Sequence, residues 1–291
     1  MLFAEIPGNT AIKQNLIKVV ANNRVPHAQL FLGNSGSAKL ALALAFAQYL
    51  NCEKRKETDS CNICHSCLMY NSLSHPDLHF SFPVNTNDKI KKDPVSKDYL
   101  EAWREMLFSS AYFSLDDWYK KIRIGNKQGI ISAKEAENIS KKMSLKSYEG
   151  GYKFMVIWMA EKMNPSASNK LLKLLEEPPK KTVFLLLCEN EAAVLKTIRS
   201  RCQKIKVDPI ASEDIALGLK TNFEIEDSFA EEISLKAKGN YRAACLLVEN
   251  QSAAEENAED FVNWVRLAFR VKTSKKAVGE LVSFSETMAK K

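Results

Sequence analysis

A cluster of four cysteines lies within sixteen positions of the chain, at the spacing Cys-x8-Cys-x2-Cys-x2-Cys. Its members are Cys52, Cys61, Cys64 and Cys67. Two interlocked Cys-x-x-Cys steps place thiolates on adjacent turns, where a tetrahedral Zn²⁺ ion can gather them, and Cys52 supplies the fourth ligand. Because four thiolates leave no open coordination position, the pattern predicts a structural rather than a catalytic zinc. A mixed ligand set with His65 or His75 and a set of reduced thiols without metal are the alternatives.

A second candidate site is a glycine-containing loop at residues 33–40, with the sequence Gly-Asn-Ser-Gly-Ser-Ala-Lys-Leu. A working phosphate-binding loop has the pattern Gly-x4-Gly-Lys-Ser/Thr, in which backbone N–H groups and the lysine hold phosphates and the hydroxyl binds Mg²⁺. Gly33, Gly36 and Lys39 keep part of this pattern, but Ala38 replaces the last glycine and Leu40 replaces the Mg²⁺ ligand. We expect a loop that retains only the turn, with nucleotide binding as the alternative.

The residues at the end of a strand predicted at 152–159 indicate whether the chain can hydrolyse a nucleoside triphosphate. An NTPase needs two carboxylates there, one for the metal shell and one to orient the attacking water. Trp158 and Met159 occupy these positions, and neither side chain can do either task. Glu161 is the nearest carboxylate, and we interpret it as a solvated residue at the start of a helix. Two separate motifs therefore agree that this chain does not hydrolyse ATP.

Two arginines, Arg199 and Arg201, lie beside a predicted short strand, in the segment Thr-Ile-Arg-Ser-Arg-Cys-Gln at residues 197–203. An arginine stabilises the charge of a phosphoryl group in transfer, and it can be supplied to the site of a neighbouring subunit. From the spacing alone, a solvated basic turn is the favoured interpretation.

Buried strands and helices that alternate along the chain must position these residues. Apolar runs predict strands at 29–32, 152–159, 182–188 and 204–207, and helical periodicity predicts helices at 11–21, 37–50, 133–143 and from 166 or 168 to 177. Strands that are apolar on both faces and alternate with helices indicate a parallel sheet covered on both sides, so the fold class is α/β. Beyond residue 208 we predict only helices, with a polar joint at 249–259.

The composition restricts the class of protein further. The 291 residues suffice for about two domains, and 45% hydrophobic with 26% charged residues excludes global disorder. The longest apolar run, residues 40–47, is too short to cross a bilayer, and the first residues do not resemble a signal peptide, so we expect a cytoplasmic protein. The net charge of +7 permits contact with nucleic acid, so a zinc-containing DNA-binding module is one alternative function.

Several longer motifs carry a family resemblance. They are Pro26-His27-Ala28 with Leu30-Phe31-Leu32-Gly33, the four-cysteine insert, Ser-His-Pro-Asp-Leu at 74–78, Tyr-Glu-Gly-Gly-Tyr-Lys at 148–153, Asn-Lys-Leu-Leu-Lys-Leu-Leu-Glu-Glu-Pro-Pro at 169–179, and Ser200-Arg201-Cys202. In these motifs the chain resembles the clamp-loader branch of the AAA+ family, whose core is a P-loop NTPase-like parallel sheet. The resemblance covers roughly residues 1–250, and residues 83–127 form an insertion outside it.

The resemblance implies a function in DNA replication. Clamp loaders are multi-subunit rings that use ATP to open a sliding clamp and place it on primer-template DNA. The last glycine and the Mg²⁺ ligand of the loop are replaced, and so are the two carboxylates at the strand end. These replacements indicate the rigid, non-hydrolysing stator subunit. The ATP-hydrolysing tau/gamma motor subunit is the alternative. The arginine of the stator's Ser-Arg-Cys motif completes the ATP site of the adjacent motor subunit, and this arginine finger corresponds to Arg201.

Other parts of the chain also correspond to the family pattern. Gly239-Asn240-Tyr241-Arg242 resembles its second sensor, so Arg242 joins Gly33, Gly36 and Lys39 in a vestigial nucleotide site. The implied domains are an AAA+ core at 1–208 with the zinc module at about 52–67, a small helical lid at 209–250 and a helical collar from 251. Only about forty residues follow position 250, so we expect the chain to stop inside the collar, with an unusually small collar as the alternative. The implied partners are tau/gamma and delta subunits, with the clamp and DNA contacted through the complex.

Overall fold

A five-stranded parallel sheet forms the centre of the protein. The structure, a computed structural model, describes residues 1–271 and 276–288. The strands are β1 (Ala28–Leu32), β2 (Leu78–Ser81), β3 (Lys153–Trp158), β4 (Thr182–Cys188) and β5 (Gln203–Lys206). Their order in the sheet is β2-β3-β4-β1-β5, and every neighbouring pair is parallel. Every residue of β3 and β4 is buried, so both faces of the sheet are covered at its centre.

Helices connect and cover these strands. In the described part of the chain they are α1 (Thr10–Ala21), α2 (Lys39–Asn51), α3 (His65–Asn71), α4 (Leu100–Ser109), α5 (Leu115–Ile122), α6 (Ala133–Ser144), α7 (Pro165–Glu176), α8 (Lys196–Arg199), α9 (Ser212–Phe223), α10 (Asp227–Ala237), α11 (Tyr241–Val271) and α12 (Lys276–Met288). Ser132 caps α6 by accepting a hydrogen bond from the Glu135 N–H, and α7 ends two residues before Pro178, as the sequence predicts. The predicted fold class, a parallel α/β core with helices after it, is confirmed.

The structure differs from the sequence-based expectations at β2 and in the segment 249–259, and the short helices α3 and α8 have no prediction either. Strand β2 has no prediction, because Leu78–Ser81 is only four residues long and its two polar residues interrupt the apolar pattern. The polar joint expected at 249–259 is wrong, since α11 runs through it without a break. That segment contains alanine, glutamate and glutamine but no glycine or proline, and these residues favour a helix even in a segment where most residues are polar.

The insertion at 83–127 folds around buried aromatic rings. Trp103 of α4 and Trp118 of α5 are fully buried, and their rings meet edge to face with centroids 5.2 Å apart. The Trp118 indole N–H donates to the Pro83 carbonyl at 2.8 Å, so its polar atom is satisfied inside the cluster. The insertion is thus a folded part of the structure with helices of its own.

The contacts of the chain divide it into two compact units, Met1–Ala243 and Ala244–Lys291. The domain boundaries predicted at 208 and 250 stay predictions. Among residues 1–271 and 276–288, no helix combines the length and the apolar character needed to span a membrane.

Candidate functional site

The loop between β1 and α2 has the backbone of a phosphate-binding turn. Gly36 adopts a φ of 71°, in the left-handed region that glycine enters without strain. The Gly33 N–H donates to the Cys188 carbonyl at 3.2 Å, which ties the start of the loop to the end of β4. The Ser37 hydroxyl is buried and has no hydrogen-bond partner among the described residues. The turn of such a loop is therefore present, immediately before the first residue of α2.

The lysine of this loop is committed to an internal partner. Lys39 is only 4% exposed, and its ammonium donates to the Asn34 carbonyl at 2.8 Å and to the Glu189 carboxylate at 3.1 Å. Burial lowers the pKa of the Lys39 ammonium, while the nearby Glu189 charge and hydrogen bond act in the opposite direction. Glu189, the residue after β4, thus supplies the negative charge that a phosphate would otherwise bring to Lys39.

The start of α11 closes over the other side of the loop. The Tyr241 N–H donates to the Gly36 carbonyl at 3.2 Å. A Cβ atom at Gly36 would lie 1.8 Å from the Asn240 side-chain oxygen, so this amide directly covers the glycine. The cavity left beside the loop has a volume of about 300 Å³, at the lower limit for small-molecule sites. Its lining consists of Asn34, Ser35, Ser37, Pro209, Ala237, Lys238, Gly239 and Asn240.

Arg242, the candidate second sensor, contacts the insertion. Its guanidinium Nε lies 3.4 Å from the Asp117 carboxylate of α5, and both side chains are about three-quarters buried, at 22% and 24% exposure. Desolvation raises the pKa of Asp117, but hydrogen bonds from Ser114 and the Arg242 charge outweigh it, so that the pKa is lowered overall.

Aromatic packing fills the end of β3, where an NTPase carries its carboxylates. Trp158 and Met159 are 2% and 3% exposed. The Trp158 ring packs on Trp103 and Phe113 of the insertion, with centroids 5.3 Å and 5.2 Å away. Neither position has room for a carboxylate with its hydration shell.

Glu161 does not have the environment expected for it. We interpreted it as a solvated residue, but its carboxylate accepts hydrogen bonds from the backbone N–H groups of Glu189 and Asn190, at 2.8 Å and 3.2 Å. It therefore stabilises the turn after β4 that carries Glu189. Taken together, the loop residues do not fit a nucleoside triphosphate with Mg²⁺: the lysine is paired, the metal ligand is absent from the motif and the glycine is covered.

Arg201 lies on the surface after α8, near the end of α7. One guanidinium nitrogen is 2.5 Å from the Glu176 carboxylate, and another donates to the Thr197 carbonyl at 2.8 Å. The Arg201 side chain keeps 34% exposure, and that of Glu176 keeps 47%. The neighbouring Arg199 has a different partner, Glu191, at 3.6 Å. The two arginines are therefore separate, and the Arg201 pair is the more exposed one.

The four clustered cysteines converge between α2 and the start of α3. Their sulfur atoms all lie within 4.8 Å of one another, and Cys61 Sγ is 3.9 Å from Cys67 Sγ. A tetrahedral zinc with Zn–S bonds of about 2.3 Å requires sulfurs about 3.8 Å apart, so the donor set has the size of a Zn²⁺ site. Neither histidine joins this set: His65 is exposed, and His75 Nδ1 accepts a hydrogen bond from the Asp77 N–H.

Backbone N–H groups support thiolates in this cluster. The Cys61 N–H lies 3.2 Å from Cys52 Sγ, and the Cys64 N–H lies 3.3 Å from Cys61 Sγ. The Ile63 N–H, with a smaller contribution from that of Cys64, lowers the pKa of Cys61 to about 6. Burial raises the pKa values of Cys52 and Cys67, so a bound cation would be needed to hold all four as thiolates.

The sequence gives no recognisable signal for the contacts of three residues in this region. Glu189 follows a predicted strand directly, but nothing in the sequence pairs it with Lys39. Asp117 lies in the insertion, for which no pattern gives a position in the fold. Asn240 belongs to a motif that we singled out for its arginine, whereas the structure gives the asparagine the contact with Gly36.

Comparison with known proteins gives a consistent result. The family model described as "DNA polymerase III, delta subunit" matches residues 8–211. "DNA polymerase III subunit delta'" of Yersinia pestis is 30% identical over 198 residues, which cover 67% of this chain and 46% of that protein. The protein of the same name from Bacillus subtilis is 28% identical over 200 residues, which cover 69% of this chain and 47% of that protein.

A relative named as a tau/gamma subunit also matches. "DNA polymerase III subunit tau/gamma" of Haemophilus influenzae is 25% identical over 256 residues, which cover 86% of this chain and 31% of that protein. The chain spans about half the length of the two delta-prime relatives. The family model covers well over half of the chain and contains the loop, the cysteine cluster and the Ser-Arg-Cys motif. The chain therefore belongs to the DNA polymerase III delta-prime family, in the clamp-loader branch of the AAA+ proteins.

Proposed function

We propose that this chain is the non-hydrolysing stator subunit of a bacterial DNA polymerase III clamp loader. It acts in the cytoplasm by assembly with tau/gamma motor and delta subunits, and through them on the sliding clamp and primer-template DNA. The observation that carries the proposal is the pairing of Lys39 with Glu189, because it removes the loop's cation from any phosphate. The packed Trp158 supports the same conclusion from the second motif.

In this proposal Arg201 is the arginine finger for the ATP site of the adjacent motor subunit. Its pair with Glu176 is exposed, and exposed ion pairs contribute only about 0–1 kcal/mol to stability. The guanidinium can therefore exchange this carboxylate for a phosphate at little cost. Being planar and always charged, it is suited to stabilising a phosphoryl group in transfer.

We also propose that the four cysteines bind a structural Zn²⁺ ion. The donor set and the sulfur spacing fit that ion, and closed four-thiolate sites hold their metal without an exchangeable position. Cys52 follows the end of α2 and Cys64 precedes α3, so the ion fixes the segment between these helices.

The central experiment is ATP turnover by a reconstituted clamp loader that contains the Arg201→Ala variant. We expect turnover at the adjoining site to fall by on the order of a thousandfold, seen as a clear drop in DNA-dependent phosphate release. The Arg199→Ala variant is the matched control and leaves turnover unchanged. Assembly is checked by size-exclusion chromatography, and the stability of the isolated Arg201→Ala chain changes by less than about 0.5 kcal/mol. Unchanged turnover in a fully assembled complex would contradict the proposal.

A second candidate function is that of an ATP-hydrolysing motor subunit. It is favoured by the retained Gly33, Gly36 and Lys39 and by the similarity to a tau/gamma protein over most of the chain. Steady-state phosphate release by the isolated chain distinguishes the two. Release that is abolished by Lys39→Ala supports the motor, whereas the stator proposal expects no release above that of the variant.

A further inference from the structure

The insertion at 83–127 reaches the residues that close over the loop. Asp117 of α5 contacts the Arg242 guanidinium at 3.4 Å, and the Tyr112 ring lies against the Tyr241 ring with centroids 4.8 Å apart. Tyr241 is also the residue whose N–H donates to the Gly36 carbonyl. One short stretch of α11 is thus held by the loop on one side and by the insertion on another.

The insertion is itself anchored to the sheet. The rings of Trp103 and Phe113 pack on Trp158 at the end of β3. Phe82, which follows β2, stacks on Trp103 with centroids 4.3 Å apart. These rings are at most 6% exposed, so the contact is a packed core and not a surface association. A continuous set of contacts, buried at the aromatic rings and partly exposed at Asp117 and Arg242, therefore runs from β3 through the insertion to Tyr241 and Arg242.

We propose that the insertion is a built-in latch that holds the lid helices α9 and α10 against the core without a nucleotide, with the Asp117 carboxylate as the anion that Arg242 binds. A guanidinium beside a phosphate-type turn is a natural partner for a bound anion. Here the chain supplies that anion from its own insertion. Because Arg242 follows Tyr241, fixing it also fixes the hydrogen bond between Tyr241 and the loop.

The lid helix α9 also contacts the N-terminal segment of the core. A Cβ atom at Gly218 of α9 would meet Pro7 at 2.8 Å, so this helix lies close to the N-terminal segment. A Cβ atom at Gly8 would likewise meet the Asp214 side chain at 2.6 Å. Tyr241, which the insertion contacts through Tyr112, lies beside α9 as well. A Cβ atom at Gly218 would also meet the Tyr241 hydroxyl at 3.0 Å, and the Asn222 side chain of α9 donates to that hydroxyl at 2.9 Å.

Asp117 also has a local structural function, which the test must separate from the latch. Its carboxylate accepts hydrogen bonds from the Ser114 N–H and hydroxyl, both at 2.9 Å, as part of the capping box of α5. An Asp117→Asn substitution keeps an oxygen acceptor for that cap but removes the charge that Arg242 binds. Asp116 lies next to it on α5, is exposed, and provides the matched control, Asp116→Asn.

Hydrogen exchange of the full chain, followed by mass spectrometry, tests the latch. In Asp117→Asn and in Arg242→Gln we expect amides of α9 and α10 to exchange about fivefold faster, while those of β4 stay unchanged. In the double variant these amides exchange no faster than in the faster single variant, because each substitution removes the same contact. In the unsubstituted chain, added ATP with Mg²⁺ leaves the exchange of α9 and α10 unchanged.

Three results would overturn the latch. The first is that the amides of α9 and α10 exchange at the same rate in Asp117→Asn as in Asp116→Asn. The second is that faster exchange in Asp117→Asn is confined to residues 115–122. The third is that ATP added to the unsubstituted chain slows the exchange of α9 and α10. The exchange measurement uses the isolated chain. Its result therefore does not depend on whether Arg201→Ala lowers ATP turnover in the reconstituted complex.

Discussion

The Lys39 ammonium and the Glu189 carboxylate form an ion pair at 3.1 Å that joins the first residue of α2 to the turn after β4. The lysine is 4% exposed and the glutamate 29% exposed. A buried ammonium without a counter-ion is costly, so this pair makes it possible to keep the lysine of the loop in the absence of a phosphate.

Glu189→Gln is predicted to lower the free energy of unfolding by about 1–3 kcal/mol, because it leaves the Lys39 charge buried with only a carbonyl partner. Lys39→Met, which removes the charge and keeps the apolar stem, costs less. In the double variant, Glu189→Gln adds little further loss, since no buried cation remains. Urea denaturation followed by circular dichroism measures all three.

The matched control for this prediction is Glu177→Gln, at an exposed residue that follows α7. We expect a change within about 0.5 kcal/mol there, as for most surface substitutions. If Glu189→Gln is no more destabilising than Glu177→Gln, the ion pair has no role in holding the loop.

Gly36→Ala is predicted to destabilise the protein by more than the strain of its backbone alone. Gly36 and Gly150 have similar φ values, 71° and 73°, but a Cβ atom at Gly150 meets nothing within 4 Å. Gly150→Ala should therefore report the left-handed strain of about 1–2 kcal/mol, and Gly36→Ala that strain plus the clash with Asn240. Thermal or urea unfolding of the two variants measures the difference, and equal losses would contradict the close contact.

An Asn240→Ala background shows whether this amide causes the difference. Asn240 also accepts a hydrogen bond from the Ala243 N–H, so its own replacement costs about 1 kcal/mol as the loss of a helix cap. In that background, Gly36→Ala is expected to cost about as much as Gly150→Ala. If Gly36→Ala lowers the free energy of unfolding as much in the Asn240→Ala background as in the unsubstituted chain, the Asn240 side chain is not the group that clashes.

The zinc proposal predicts about one Zn²⁺ per chain by elemental analysis, lost in Cys61→Ser with a marked fall in melting temperature. Cys202→Ser, at a half-buried cysteine outside the cluster, is the control and keeps its metal. A strong chelator should reproduce the effect of Cys61→Ser. Metal-free protein from a chelator-free purification, with an unchanged melting temperature after chelator treatment, would rule out a structural zinc.

Patterns within single elements were sufficient to predict most of the fold. The run Thr182–Cys188 is apolar after its first residue and forms a strand with those bounds, and the cysteine spacing alone predicted a cluster that the structure brings together. The order of the strands, the position of the insertion and the pairing of Lys39 with Glu189 depend on contacts between distant segments. No periodicity of one segment encodes such a contact, so none of them was predictable from this sequence.

The environment of His79 in β2 gives a last prediction, on pH. Burial lowers the pKa of His79 to about 4, against an ordinary value of about 6.5. The Lys142 and Lys153 charges add to this effect, and the Asp77 charge opposes it. Between these two values the unfolded chain binds a proton that the folded chain does not, so stability is full above about pH 6.5 and falls as the pH decreases. From pH 7 to pH 5 we expect His79 to account for a loss of about 1–2 kcal/mol. Urea denaturation across this range should therefore show a flatter pH dependence in His79→Gln than in the unsubstituted chain. An unchanged slope in His79→Gln would mean that His79 binds its proton equally well in both states.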